Sequence, residues 1–60
     1  MNRSDFFDQG YEQHKDAPDM LLAEVWRFAC MFIDDQENAR AFVEGYTAAR
    51  KQRDEHQKED

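Results

Sequence analysis

The side chains best suited to chemistry in this 60-residue sequence are one cysteine and two histidines. Cys30 lies in the most apolar stretch, AEVWRFACMFI, which predicts a buried and unreactive thiol. His14 stands beside aromatic residues near the end of a short helical pattern, so we expect a packed or partly exposed helix residue rather than a base or a ligand. His56 lies in a charged stretch that offers no apolar residue to fix it, which disfavours metal binding.

The 14 acidic residues could in principle supply a catalytic carboxylate pair. Such a pair needs a cleft that raises the pKa of one carboxyl above that of the other, and a small helical chain offers no obvious cleft. No Cys/His spacing resembles a zinc site. We therefore predict a protein that is not an enzyme, with no catalytic residue, no metal and no cofactor.

The formal net charge of −6 disfavours direct binding to nucleic acid, because a phosphate backbone demands a basic surface. The one basic cluster, Arg50-Lys51-Gln52-Arg53, runs directly into two acids and is typical of cations near a helix C-terminus. No apolar run is long enough for a membrane span and no signal-peptide pattern is present, so we expect a cytoplasmic protein without a membrane partner.

The pattern of apolar residues predicts an all-α fold. A first, short helix over about 4–15 begins at Ser4, whose hydroxyl can accept from a free backbone amide. Gly10 weakens this helix, which we expect to form only when it is docked. Asp16 and Pro18 are typical of a helix start and predict a second helix over about 17–33.

A third helix is predicted over about 35–53, opened by Asp34 and Glu37 at capping-box spacing. So short a turn between two long helices predicts an antiparallel hairpin that follows the short N-terminal helix. Residues 1–53 then form a single helical domain, and residues 54–60 form a charged, frayed tail. The sequence leaves open whether the first helix packs on its own hairpin or on a neighbouring chain.

The second helix has an apolar arc of about 160°, wider than one neighbouring helix covers. One way to cover it is self-association into a two-fold dimer and a larger helical bundle. The candidate self-association or partner surface on the second and third helices comprises Leu22, Trp26, Ala29, Ile33, Ala41 and Gly45. Met20 and Met31 lie on the opposite, polar stripe and are candidate exposed contacts with a partner.

Two segments share one pattern: FFDQGYEQHK at 6–15 and AFVEGYTAAR at 41–50. Each has a Phe four residues before a Tyr, which places both rings on one helical face. We interpret the likeness as shared helix geometry, with an internal duplication as the alternative. The Gly-Tyr segments also resemble those of the ribosome modulation factor family, basic proteins that bind ribosomal RNA.

The short, acidic, helical chain that begins MNRSDFF resembles the small early proteins of lambda-like phages, in particular those encoded between the exonuclease and excisionase genes. The resemblance covers length, character and apparent hairpin build, and no functional residue carries over from it. It implies an accessory protein in the host cytoplasm that affects the lysis–lysogeny choice or host cell-cycle control through contacts with other proteins.

The leading hypothesis is a non-enzymatic protein–protein interaction module, a homodimer that binds an unidentified host or phage regulatory protein. The alternative is an acidic DNA mimic that inhibits a nucleic-acid-binding protein, based on the net charge of −6. A more remote alternative is a ribosome-associated factor.

Overall fold

The computed structural model of this chain describes residues 3–58, and side chains from Asp5 to Glu55. Three helices and no strand lie within this range. They are α1 (Arg3–Asp16), α2 (Leu22–Phe32) and α3 (Gln36–Lys58). The all-α prediction is confirmed.

The long helix α3 is the element on which both other helices pack. Among the described residues, α1 makes the more extensive contact with α3, α2 makes a smaller one, and α1 and α2 do not pack on each other. The first helix therefore docks on α3 of its own chain. An open groove is left between α1 and α2.

The helices α1 and α3 cross in direct backbone contact at two glycines. A Cβ atom added to Gly10 would meet the backbone of Phe42, and one added to Gly45 would meet the backbone of Phe7. Glycine is required at both positions because any side chain would separate the two helices. The two Gly-Tyr segments thus lie against each other, a relationship that helix geometry alone does not predict.

The core lies between α2 and α3. Val25, Ala29 and Tyr46 have no exposed surface. The remaining buried members of this cluster come from the end of α2 and from α3, and they are Ile33, Ala39, Phe42 and Val43. Partly buried apolar side chains pack against its edge, namely Phe6, Met20 and Trp26.

The second helix begins at Leu22, later than the predicted start at 17. Asp16, predicted as a cap, is instead the last residue of α1, which is extended by a hydrogen bond from the Ala17 N–H to the Gln13 carbonyl (2.9 Å). Leu21 is extended, and its N–H donates to the Glu24 carboxylate (3.1 Å). Glu24, the third residue of α2, thus caps the start of the helix, although the residue at the cap position, Leu21, has no polar side chain.

The connection between α2 and α3 is as short as predicted, but the cap is Asp35 and not the predicted Asp34. The Asp35 carboxylate accepts a hydrogen bond from the Glu37 N–H (2.9 Å). The third helix extends through Lys58, so the predicted tail at 54–60 is helical as far as the description reaches. Its last two positions, 59 and 60, lie outside the described residues. No helix in the described part of the chain is both long and apolar enough to cross a membrane.

Candidate protein-interaction surface

The linker between α1 and α2 is held by polar side chains of α3. The Tyr46 hydroxyl donates to the Ala17 carbonyl (2.6 Å) and accepts from the Met20 N–H (3.0 Å). Ala17 and Met20 lie between two helices, so this carbonyl and this N–H have no partner within a helix, and the Tyr46 hydroxyl supplies one for each. Tyr46 is the most deeply buried aromatic residue of the core, so the linker is fixed to the centre of the molecule.

Arg50, one turn further along α3, completes this arrangement. Its guanidinium donates to the carbonyl oxygens of Pro18 (3.4 Å) and Met20, and to the Tyr46 hydroxyl (3.1 Å). The same group lies 4.9 Å from the centre of the Tyr46 ring, within the range of a cation–π contact. Arg50 therefore serves the fold of its own chain.

His14 is the one buried polar residue among the described side chains. Its ring meets the Tyr46 ring edge-on at 5.1 Å, and its Nε2 atom is buried without a hydrogen-bond partner. Burial, followed by the positive charges of Arg53 and Arg50, lowers the pKa of His14 below its ordinary value of 6.5. The carboxylates of Asp54 and Asp19 act in the opposite direction. The neutral imidazole is thus a packing element beside Tyr46.

The candidate surface predicted from the sequence is mostly enclosed by this chain's own core. Ala29 is fully buried, and Ile33 and Ala41 are nearly so. Gly45 lies at the crossing with α1. Only Leu22 is exposed, at 46%. A continuous surface made by all six predicted residues is therefore not open in this fold.

Trp26, the remaining predicted surface residue, is half-buried at the edge of the core. It lines a hollow of about 490 Å³ together with Gln36, Glu37 and Arg40 of the first turns of α3. The indole thus keeps an accessible side next to polar and charged residues. Trp26 and Leu22 are the parts of the predicted surface that stay available to a partner.

Three further predictions on single residues have different outcomes. Met31 is 84% exposed, and its predicted contact with a partner stays a prediction. Met20 is half-buried against the core, because it belongs to the linker and not to the polar face of a helix. Cys30 is exposed, so the prediction of a buried thiol was wrong. The buried face of α2 contains Val25 and Ala29. Cys30 follows Ala29 and therefore lies about 100° further around the helix, on the side exposed to solvent.

The exposed apolar surface lies on the other side of α2. Leu21 is 68% exposed, Phe32 50% and Phe28 37%. Phe28 and Phe32 lie about one turn apart on one side of α2, and Leu21 immediately precedes its first residue. An exposed row of large apolar residues on a small protein is typical of an interaction site.

Phe28 and Phe32 form one wall of an open groove of about 310 Å³ between α1 and α2. Polar side chains of α1 form the other wall, and Phe42 forms the floor. We call this feature the acidic–aromatic groove. Its lining residues are Asp8, Gln9, Glu12, Gln13, Asp16, Phe28, Phe32 and Phe42.

The aromatic wall is held by mutual ring contacts. Phe28 and Phe32 meet edge-to-face with centroids 5.2 Å apart, and Phe32 meets Phe42 in the same way at 5.5 Å. Such arrangements are favourable for aromatic pairs. Because Phe42 is 2% exposed and anchored in the core, the two exposed rings are already oriented before any partner arrives.

The opposite wall is acidic. Asp8, Glu12 and Asp16 follow one another at intervals of four residues, which is about 6 Å along a helix. We call these three residues the acidic row. Glu12 lies 3.6 Å from Lys15 in an exposed pair that contributes little to stability, while the other two carboxylates have no ion-pair partner in the described part of the chain.

The sequence alone did not identify this groove. The spacing of the acidic row and of the two phenylalanines is visible in the sequence, but each pattern is also that of an ordinary amphipathic helix. What joins them is that α1 and α2 both pack on α3 and line the same groove.

No group of three or more His, Cys, Asp or Glu side chains in the described range is arranged to hold a metal ion. Comparisons with protein-family models, curated proteins and solved structures find no match to this chain.

Proposed function

We propose that this chain is a small, non-enzymatic protein–protein interaction module that binds a regulatory protein through the acidic–aromatic groove. The observation that carries the proposal is the exposure of Phe28 and Phe32 beside an open groove. Burying exposed aromatic residues is a main source of binding free energy at protein interfaces. The resemblance to early phage proteins agrees with a regulatory role in a host cytoplasm.

Self-association is a second way to cover apolar surface, and the predicted antiparallel α2–α3 hairpin dimer stays a prediction. In a two-fold dimer both subunits contribute the same surface patch to the interface. Pairing through the groove would set each acidic row against the partner's acidic row or against its aromatic wall, and neither supplies a positive charge. A dimer through Leu22 and Trp26 avoids this mismatch and leaves the groove free.

The acidic DNA-mimic alternative is supported by the net charge of −6 and the acidic row. It does not account for the aromatic wall beside that row. A mimic should lose affinity for its target steeply as salt rises, whereas an interface that contains Phe28 and Phe32 should retain much of its affinity.

The ribosome-associated alternative requires basic side chains for phosphates. Of the basic cluster, Arg50 is engaged by the linker, and Arg53 lies 3.8 Å from Asp19 and 3.7 Å from Asp54. These contacts favour a structural role for the cluster. Co-sedimentation with ribosomes tests this alternative, and we expect none.

The experiment for the leading proposal is site-specific photo-crosslinking in cells that express the full chain. A photo-reactive residue at Met31, which is highly exposed on α2, should yield a crosslinked partner. The product should disappear in a Phe28→Ser/Phe32→Ser double variant and persist in a Leu22→Ser control, provided that circular dichroism shows both variants folded. Equal yields from both variants would contradict the proposal.

A further inference from the structure

The acidic–aromatic groove has two walls of different chemistry, and this difference restricts what it can bind. One wall presents carboxylates and the other presents aromatic rings, with Phe42 between them. A purely apolar partner would leave the acidic row facing apolar groups, which costs desolvation free energy. A purely cationic partner would leave Phe28 and Phe32 in water. The matching surface is therefore basic along one edge and apolar along the adjacent edge.

The repeat along each wall matches the repeat of an α-helix. The acidic row advances by four residues at each step, and so does the pair Phe28 and Phe32. Each wall therefore offers contacts about 6 Å apart, close to one helical turn. A partner helix can carry a basic stripe and an adjacent apolar stripe on the same side, whereas a β-strand places alternate side chains on opposite faces.

We infer that the acidic–aromatic groove receives a basic amphipathic helix of a partner protein. The apolar face of that helix rests on Phe28 and Phe32, and its lysine or arginine side chains face the acidic row. This inference deepens the proposed function and rests on it, because it names the class of partner segment that the same groove binds.

Charge complementarity selects this partner over a second copy of the chain. The chain carries 14 acidic residues against eight basic ones. Its most basic stretch, at 50–53, is engaged with its own linker and acids through Arg50 and Arg53. Within the described residues a second copy therefore offers the groove no helix with a free basic stripe.

The test uses the full chain and a fluorescein-labelled model peptide of Leu, Lys and Ala, about 14 residues long so that it can form a helix. In this peptide leucine and lysine occupy adjacent helical faces. Two control peptides have the same composition in scrambled order, or glutamate in place of lysine. Fluorescence anisotropy should show saturable binding of the amphipathic peptide only. Equal binding of the scrambled peptide would overturn the inference.

Matched variants then locate the binding site. Neutralising the acidic row in one triple variant (D8N, E12Q, D16N) should weaken binding about tenfold, the effect of losing three exposed ion pairs. A control triple of exposed acids outside the groove (D34N, E44Q, E55Q) makes the same change in net charge and should weaken binding less than about twofold. Equal losses in the two triples would mean non-specific attraction and would overturn the inference.

The contribution of the aromatic wall is first tested on the unmodified protein, so that the result does not depend on whether a variant folds. Amide chemical shifts of the unmodified protein should change in two segments, 8–16 and 28–32, when the amphipathic peptide is added. A Phe32→Ser variant that retains its helicity should weaken binding by a further factor of about ten, since a half-exposed ring contributes much of its area to the contact. Shift changes confined to α1 would indicate purely electrostatic binding and would overturn the inference.

Failure of this inference is distinguishable from failure of the proposed function. A cellular crosslink that requires Phe28 and Phe32 but is unaffected by the acidic-row triple would keep the interaction module and reject the basic helix. A loss of crosslinking in the acidic-row triple, together with saturable binding of the peptide, supports both.

Discussion

Gly10 of α1 and Gly45 of α3 make the same contact from the two sides of one helix crossing. A Cβ atom on Gly10 would lie 1.8 Å from the carbonyl oxygen of Phe42. One on Gly45 would lie 2.0 Å from the carbonyl oxygen of Phe7. Each phenylalanine stands three residues before the glycine of its own helix, so the repeated Phe-x-x-Gly-Tyr spacing builds both halves of the crossing.

Alanine at either glycine should destabilise the protein although alanine is the better helix former by about 1 kcal/mol. The new methyl group would overlap a backbone carbonyl that cannot move unless α1 separates from α3. We expect Gly10→Ala and Gly45→Ala each to lower the free energy of unfolding by about 3 kcal/mol, a large part of the stability of so small a domain. Thermal unfolding followed by circular dichroism measures this. The control is Glu44→Ala, at the exposed neighbour of Gly45, and a higher melting temperature for Gly10→Ala would contradict the crossing.

Removing the Tyr46 hydroxyl should release the linker from α3. In Tyr46→Phe the Ala17 carbonyl and the Met20 N–H both lose a partner in a part-buried region. We expect a loss of about 2 kcal/mol in the free energy of unfolding, measured by urea titration. Tyr11→Phe is the matched control, because the Tyr11 hydroxyl bonds to Gln52 at an exposed site and its loss should cost less than about 1 kcal/mol. Equal losses would show that Tyr46 does not hold the linker.

His14 should make stability depend on pH in the neutral to mildly acidic range. Its pKa in the folded state is lowered from 6.5 by burial and by Arg53 and Arg50, and Asp54 and Asp19 oppose this shift only in part. The unfolded state therefore binds more protons as the pH falls toward and below 6.5, so stability decreases in that direction and recovers above it. Unfolding titrations at pH values from about 7.5 to 5.5 measure this slope.

A His14→Phe variant should have a smaller slope, because it keeps a ring beside Tyr46 and lacks the titrating group. If the His14→Phe variant keeps the full slope of the unmodified protein, the dependence comes from other groups.

Cys30 should react readily in the folded state because its side chain is exposed. We expect a thiol reagent such as Ellman's reagent to modify the native protein within about threefold of the rate in denaturant. Val25→Cys in a Cys30→Ser background is the matched control, since position 25 is fully buried and should be protected. Slow reaction of native Cys30 would indicate that this side of α2 is covered, and sedimentation analysis of the same sample would reveal a self-associated form.

The sequence was sufficient for the helical class of the fold. Its apolar residues repeat at helical intervals, and Pro18 and Asp34 lie at the two breaks between helices. It was less informative about boundaries, since Asp16 can end one helix as well as start the next. The hydrogen bonds that hold the linker could not be predicted either. Tyr46 and Arg50 are about 30 residues away from it in the sequence, and local patterns carry no information on contacts at that distance.

By itself the sequence determined that this chain is acidic, that it forms helices, and that α2 is more apolar than one neighbour requires. The tertiary structure decided which apolar side is covered. It buried Ala29 and Ile33, which the sequence had placed on a candidate partner surface, and it left Phe28 and Phe32 exposed at the groove. The physical reason is that local periodicity fixes only the angles between side chains on a helix. Which of its sides faces the core depends on contacts distant in sequence, here the packing of α2 on α3.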